Sequence, residues 1–307
     1  MPHRVADQDL SLNMTHAFNS WSFETREGFV LRGWHTAPSG KPLLHFLHGN
    51  GYCGRVYTPM LEALAEDFDL WLCDAQGHGE SDHGGRFLGW NRNAQLAVDA
   101  FTANRALFAQ ARCYALGHSF GGVLTSLMLA EQPKLFERAV LLDPVLFSPA
   151  MIGVMALSEV LGLNQRTGMA AKARKRRSHW PDQSAAYAAL HGRGMFKGWD
   201  EAAFSAYIEH ALKASEQGVS LKCQPSREAD IFGSYPRRLW SSLAKVSTPV
   251  EVLYGQQTYP FVVQSVARWC AGNSHVRAQV VAGGHCFMQQ QPAQSAERVR
   301  QFLLGAD

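Results

Sequence analysis

The sequence predicts an α/β fold in which a parallel sheet is covered by helices on both faces. Short apolar runs recur along the chain and each ends in a glycine or an acid, which is typical of strands buried on both faces. Helical patterns lie between these runs, and strands that alternate with helices form parallel sheets. The alternation is interrupted once, over residues 148–245, and this predicts an insert between two strands.

Local patterns predict a hairpin, six further strands and five helices. Residues 20–36 predict a hairpin, because strand-forming residues flank a turn at Glu27 and Gly28. The apolar runs predict six further strands at 42–49, 68–74, 112–117, 138–143, 249–255 and 276–284. Apolar residues spaced by three and four positions predict helices at 57–68, 93–110, 119–133, 261–272 and 293–305.

The interrupting segment contains helix-like stretches and no strand signal as clear as the others. We therefore expect a core domain formed by residues 1–147 and 246–307 and a helical insert formed by residues 148–245. Aromatic residues of the insert either line an apolar pocket or attach the insert to the core. They are Trp180, Phe196, Trp199, Phe204, Tyr207 and Trp240.

Composition and net charge indicate a globular chain and give no case for nucleic-acid binding. The chain has 307 residues, of which 46% are hydrophobic and 18% charged, so it can form a sizeable core as one large domain or as a core with an insert. A net charge of +3 gives no reason to expect nucleic acid as the main partner. The run 172–177 holds five positive charges in six positions, which favours a solvated helix face over an anion-recognition patch.

The predicted location is cytoplasmic. The N-terminus lacks the apolar run of a signal peptide, and no apolar stretch approaches the length of about 18 residues that spans a membrane. Six widely scattered cysteines favour reduced, buried thiols over a disulfide framework. The sequence shows no metal-binding motif such as H-E-x-x-H or paired C-x-x-C, so no metal and no cofactor are expected.

A candidate nucleophile lies in Gly117-His118-Ser119-Phe120-Gly121, a G-x-S-x-G pattern between a predicted strand and a predicted helix. This is the context that the motif requires. Ser119 must occupy a sharp, strained turn that lifts its hydroxyl clear of the sheet, and the flanking glycines avoid collisions there. The start of the following helix also places positive partial charge near the developing negative charge.

The loop at the end of the strand predicted at 42–49 is a candidate for an oxyanion-binding site. His48, Gly49 and Asn50 follow directly after an apolar strand, and an amide from such a loop can act together with the amide that follows the nucleophile. We expect the main-chain amides of Phe120 and Asn50 to be the donors. His48 is expected to form structural hydrogen bonds, because hydrolases with this motif have their catalytic histidine late in the chain.

His285 is the candidate base, since it follows the last predicted strand and two glycines. A histidine in such a turn can reach a serine hydroxyl and remove its proton. With these residues identified, the chain resembles the α/β-hydrolase superfamily through the motifs LHGNG, DAQGHGESD, GHSFGG and GGHC, in that order. The resemblance implies an eight-stranded, mostly parallel sheet with a helical cap inserted after strand six. One departure is Gln76, where this superfamily often has arginine.

The orienting acid is absent from its usual place. The loop after the strand at 249–255 offers Gln256, Gln257 and Thr258 instead of a carboxylate. The preceding strand ends in Asp143, and some α/β-hydrolases carry their acid there. We therefore predict that Asp143 orients His285, although Asp143 before a proline can also simply shape a turn.

Two classes of function follow from this pattern. The first is a serine hydrolase acting on a carboxylic ester with an apolar acyl part, through Ser119, His285 and Asp143. A lysophospholipid or monoacylglycerol-like ester is slightly favoured over a generic small ester. The second is a non-catalytic ligand-binding protein, which the missing acid after residue 255 would favour. A C–C bond hydrolase using the same residues is also compatible with the fold. The oligomeric state is not predicted.

Overall fold

The computed structural model describes residues 16–109, 111–163 and 168–305. The strands of the main sheet are Phe18–Glu24 (β1), Val30–Thr36 (β2), Leu43–Leu47 (β3), Asp69–Cys73 (β4), Cys113–His118 (β5), Arg138–Leu142 (β6), Val250–Gln257 (β10) and Val276–Gly284 (β11). Three short strands lie between β6 and β10, namely His179–Trp180 (β7), Leu212–Ser215 (β8) and Gly218–Leu221 (β9).

The first six helices are Thr58–Ala65 (α1), Trp90–Asn104 (α2), Phe120–Glu131 (α3), Pro149–Val160 (α4), Gly168–Arg174 (α5) and Gln183–Leu190 (α6). The others are Glu201–His210 (α7), Pro225–Phe232 (α8), Leu239–Leu243 (α9), Pro260–Gly272 (α10), Phe287–Gln290 (α11) and Pro292–Leu304 (α12). Proline occupies the first turn of α1, α4, α8, α10 and α12, where its fixed φ suits a helix start and its missing N–H is not needed.

The main sheet has eight strands in the order β1-β2-β4-β3-β5-β6-β10-β11. β1 and β2 form the predicted hairpin, β2 pairs antiparallel with β4, and the remaining pairs are parallel. This confirms the predicted α/β-hydrolase fold with its mostly parallel, eight-stranded sheet. The carboxyl ends of β3, β5, β6 and β11 meet at one edge, which is where ligands bind in such sheets.

The core consists of two apolar layers, one on each face of the sheet. Alternate residues of each strand point to opposite faces, so Leu43 joins one layer and Leu44 the other. Helices α2, α3, α9 and α10 cover the first face, and α1, α7 and α12 cover the second. None of the helices in the described ranges is long and apolar enough to cross a membrane.

The segment between β6 and β10 contains helices α4 to α9, and in addition a small antiparallel sheet in the order β7-β9-β8. Our expectation of an entirely helical insert missed this sheet. Its strands are two to four residues long, which is too short for an alternating pattern to stand out. The tight turn between β8 and β9 uses Gly218 at a φ of +114°.

Candidate active site

Ser119 lies at the junction of β5 and α3. Its φ of 54° and ψ of −113° are unfavourable for a residue with a side chain, and its N–H is fixed by a 2.9 Å bond to the carbonyl of Leu142. A Cβ on Gly117 would come within 2.5 Å of the Thr125 hydroxyl, and one on Gly121 within 2.3 Å of the Leu47 carbonyl. Glycine is therefore required at both flanking positions of the motif.

The structure brings Ser119, His285 and Asp143 together from three different strand ends. Nε2 of His285 lies 2.9 Å from Oγ of Ser119, and Nδ1 of His285 lies 2.7 Å from Oδ1 of Asp143. An ionised carboxylate can only accept a hydrogen bond, so Nδ1 carries a proton. In the neutral ring Nε2 then accepts the bond from the Ser119 hydroxyl, which is the arrangement needed for proton removal.

Asp143 is held by the end of β10 and by Thr258 directly after it, the stretch in which an acid was missing. Its carboxylate is completely buried, and Oδ2 accepts a 2.8 Å bond from the Gly255 amide. The hydroxyl of Thr258 donates a further hydrogen bond to Oδ1, the same oxygen that faces His285. The sequence identified Thr258 only as a residue that is not an acid. Its hydroxyl, which can donate to a neighbouring carboxylate, was the signal that this reasoning overlooked.

In the loop after β3, one main-chain N–H remains available as a hydrogen-bond donor. The Gly49 amide donates to the Tyr57 hydroxyl at 3.1 Å, and the Gly51 amide donates to Nε2 of His78 at 3.1 Å. Within this described loop, the Asn50 amide has no acceptor in the protein. The Phe120 amide belongs to the first residue of α3, so the helix offers it no carbonyl four positions earlier. These are the two amides predicted as oxyanion donors.

His48 uses both of its ring nitrogens inside the protein. Nε2 accepts a 3.0 Å bond from the Ala75 amide, and Nδ1 donates to the Gly49 carbonyl at 2.8 Å. Burial lowers the pKa of His48 to about 4, so the ring stays neutral near pH 7. His48 therefore connects the loop after β3 with the loop after β4, and it has no nitrogen left for a substrate.

His118 connects the loop after β3 with the turn that carries His285. Its Nε2 donates to the main-chain carbonyl of His285 at 3.1 Å, and its Nδ1 accepts a 2.6 Å bond from the Tyr57 hydroxyl. That hydroxyl in turn accepts the Gly49 amide. Burial lowers the pKa of His118 well below its ordinary value, and the neighbouring His285 adds to this shift. The sequence did not identify these contacts of His118 and Tyr57, because neither a histidine within G-x-S-x-G nor a tyrosine at a helix start has a distinctive pattern.

The aromatic residues of the insert attach it to the core. Trp180, Phe196, Phe204, Tyr207 and Trp199 are buried in the same apolar layer as the β3 loop residue Tyr52. The Tyr52 ring lies 5.7 Å from that of Trp199 and 6.0 Å from that of Tyr207. Trp240 packs against the other layer. This packing favours attachment over pocket lining for these residues.

The basic run contains one arginine, Arg176, whose side chain points inward. Arg176 donates to Glu228 at 2.7 Å and to the Tyr207 hydroxyl at 3.0 Å, and its side chain is only 19% exposed. The ion pair lies directly against Gly51, where an added Cβ would be 3.6 Å from Nη1 of Arg176. The side-chain amide of Asn50 donates to the Glu228 carbonyl at 3.2 Å. The insert therefore contacts the loop after β3 at Asn50 and Gly51.

Gln76 and the insert residue Arg227 hold the same loop. The side-chain amide of Gln76 donates to three main-chain carbonyls in residues 83–86. The fully buried side chain of Arg227 donates to the carbonyls of His83 and Gly85. A guanidinium is thus present here, although it comes from the insert and not from position 76. In the described part of the chain, no cluster of three or more His, Cys, Asp or Glu residues could hold a metal ion.

Residues 46–298 match the alpha/beta hydrolase family, and the chain belongs to this family. Monoglyceride lipase of Mus musculus is 30% identical over 155 residues, which are 48% of this chain and 46% of that protein. The chain thus matches less than half of the length of its curated relatives.

Solved structures of other proteins share the fold. E-2-(acetamidomethylene)succinate hydrolase has a TM-score of 0.76 and 20% identity, covering 94% of this chain and 100% of that chain. Peroxisomal alpha-beta-hydrolase Lpx1 of Saccharomyces cerevisiae has a TM-score of 0.74 and 18% identity, covering 95% and 90%. At these identities the likeness concerns the fold alone.

Proposed function

We propose that the protein is a serine hydrolase that cleaves a carboxylic ester. The observation that carries the proposal is the continuous hydrogen-bonded series from Ser119 through His285 to the buried Asp143, with distances of 2.9 and 2.7 Å. Such an arrangement, on a strained turn beside two amides, is the one that makes a serine hydroxyl nucleophilic.

In the proposed reaction, Oγ of Ser119 attacks the ester carbonyl while its proton passes to Nε2 of His285. Asp143 holds the ring in the required tautomer and stabilises the imidazolium. The amides of Phe120 and Asn50 bind the oxyanion. Collapse of the tetrahedral intermediate breaks the bond to the alcohol, which takes the proton from His285. Water, activated by the same histidine, then hydrolyses the acyl-enzyme and releases the acid.

The proposed substrate is an ester with an apolar acyl part, and a lysophospholipid or monoacylglycerol-like ester is preferred. The partial similarity to monoglyceride lipase supports this class. We also propose that residues 148–245 act as a cap on a core formed by residues 1–147 and 246–307, since the insert contacts the loop that contains Asn50. A cytoplasmic location is supported by six free cysteines, five of them buried.

A fluorophosphonate probe tests the serine directly. We expect one covalent adduct, located at Ser119 by peptide mass spectrometry and absent from Ser119→Ala. A panel of esters of increasing acyl length, run on the wild type, Ser119→Ala and Asp143→Asn, then gives the substrate class. Asp143→Asn is expected to lower kcat by roughly 10⁴-fold.

The same experiment separates the competing functions. The absence of labelling at Ser119 in folded protein would favour a non-catalytic binding protein on this fold. Labelling without turnover of any ester would instead point to a C–C bond hydrolase that uses the same residues. Full activity of Asp143→Asn would show that Asp143 only shapes its turn.

A further inference from the structure

Helix α4 turns an apolar face outward. None of its side chains is buried, and Val154, Leu157 and Val160 are 70%, 61% and 84% exposed. Their spacing of three residues places them along one side of the helix, and Leu161, directly after the helix, is 60% exposed. We call these four residues the α4 face. Surface helices of globular proteins normally carry polar residues on this side, so the α4 face requires an apolar environment.

The chain around the α4 face is basic. Glu159 is the one acid in the sequence from 148 to 181. Its carboxylate accepts two bonds from Arg237, at 2.7 and 2.6 Å, and one from the Tyr235 hydroxyl at 3.1 Å, so its charge is compensated. The segment that contains the α4 face therefore presents little uncompensated negative charge of its own to a partner.

The exposed cations of the basic run follow shortly after α4. Lys172, Lys175 and Arg177 are exposed. Arg174 pairs with Asp230 at 3.6 Å, and Asp230 lines the same cleft as Glu159 at the end of α4. The basic run is thus close to the C-terminal end of α4 in space as well as in sequence.

We propose that the α4 face and the run 172–177 together bind the surface of an anionic lipid bilayer. Apolar helix faces enter the boundary between headgroups and acyl chains, and neighbouring lysines and arginines are attracted to anionic headgroups. At 1.5 Å per residue, α4 is about 18 Å long, well short of the roughly 30 Å of a bilayer core. It therefore lies on the membrane and does not cross it.

The position of α4 connects this surface with the active site. The helix begins at Pro149, shortly after Asp143 at the end of β6, so it leaves the sheet at the edge where Ser119 and His285 meet. If the proposed hydrolysis is correct, an ester dissolved in the bilayer would reach the site from this side. The binding surface itself does not depend on the chemistry.

Sedimentation with lipid vesicles tests the proposal, using Ser119→Ala protein so that hydrolysis does not enter the result. We expect stronger binding to vesicles containing about 30% phosphatidylglycerol than to pure phosphatidylcholine. The variant Leu157→Ser/Val160→Ser should bind at least about tenfold more weakly to both. The variant Lys172→Gln/Lys175→Gln should lose about fivefold per changed residue, and only on the anionic vesicles.

The matched control is Leu107→Ser/Val280→Ser, which changes two apolar residues that are each 51% exposed. It should bind vesicles like the parent protein. The proposal is overturned if the parent protein does not bind anionic vesicles, or if Leu157→Ser/Val160→Ser binds as well as the control. A dimer in light scattering that becomes a monomer in Leu157→Ser/Val160→Ser would also overturn it, because a second copy of the chain would then cover the α4 face.

Discussion

Replacing Thr258 by valine removes one hydrogen bond to Asp143 and leaves the side-chain volume almost unchanged. The carboxylate is fully buried and accepts bonds from the Gly255 amide, the Thr258 hydroxyl and His285. A hydrogen bond to a charged group contributes about 1.5–3 kcal/mol. If that bond fixes the carboxylate against His285, its loss should lower kcat by roughly 10- to 150-fold.

The assay is steady-state hydrolysis of the best ester from the acyl-length panel. Thr258 does not contact Ser119, so we expect the loss in kcat with KM changed by less than about twofold. Thr258→Ser keeps the hydroxyl and serves as the matched control, with activity near that of the wild type. A valine variant that unfolds more easily in urea but retains the wild-type kcat would refute this role and leave Thr258 as a purely structural residue.

Two further predictions concern stability. Glu228→Gln leaves the guanidinium of Arg176 without its charged partner, and should lower the free energy of unfolding by about 3 kcal/mol. In urea unfolding, Glu66→Gln is the control, since the Glu66 side chain is 72% exposed; an equal effect of both changes would contradict the importance of burial. His45 is fully buried, and neither ring nitrogen has a hydrogen-bond partner in the described ranges. Burial lowers its pKa from 6.5 to about 3, so the unfolded chain binds a proton that the folded protein excludes. The wild type should lose on the order of 4 kcal/mol from this group as the pH falls from 6.5 to 3. His45→Leu should unfold with a smaller pH dependence over that range, and parallel pH profiles of the two proteins would show that His45 is not responsible.

The main sheet could be predicted from the sequence because its signals are local. Leu43–Leu47 and Asp69–Cys73 are fully buried strands, and continuous apolar runs with glycines or acids after them are distinctive. The turn at Gly117–Gly121 could be recognised because the whole motif lies within five consecutive positions, although the atoms that exclude a Cβ from its two glycines belong to Thr125 and Leu47.

The contacts that support the site could not be predicted, because they join residues far apart in the sequence. His118 donates to the carbonyl of His285, 167 positions away, and Asn50 donates to Glu228, 178 positions away. Neither contact is marked by periodicity or by an unusual residue type. The direction of Arg176 within its basic run is a further example, since the sequence of the run favours a solvated face while the fold turns this one guanidinium towards a buried carboxylate.

The position of the acid follows from the neighbourhood of two strands. β6 and β10 are adjacent and parallel, with Leu142 opposite Leu253, and the Asp143 amide donates to the Leu253 carbonyl at 2.7 Å. Asp143, just beyond β6, and the last residues of β10 with Thr258 therefore share one corner beside His285. A carboxylate can enter that corner from either strand, provided that the other strand supplies donors and no second negative charge. Gly255 and Thr258 supply those donors here. An acid introduced at position 258 should consequently repel Asp143 and inactivate the protein, so that activity in Thr258→Asp would require the simultaneous change Asp143→Asn.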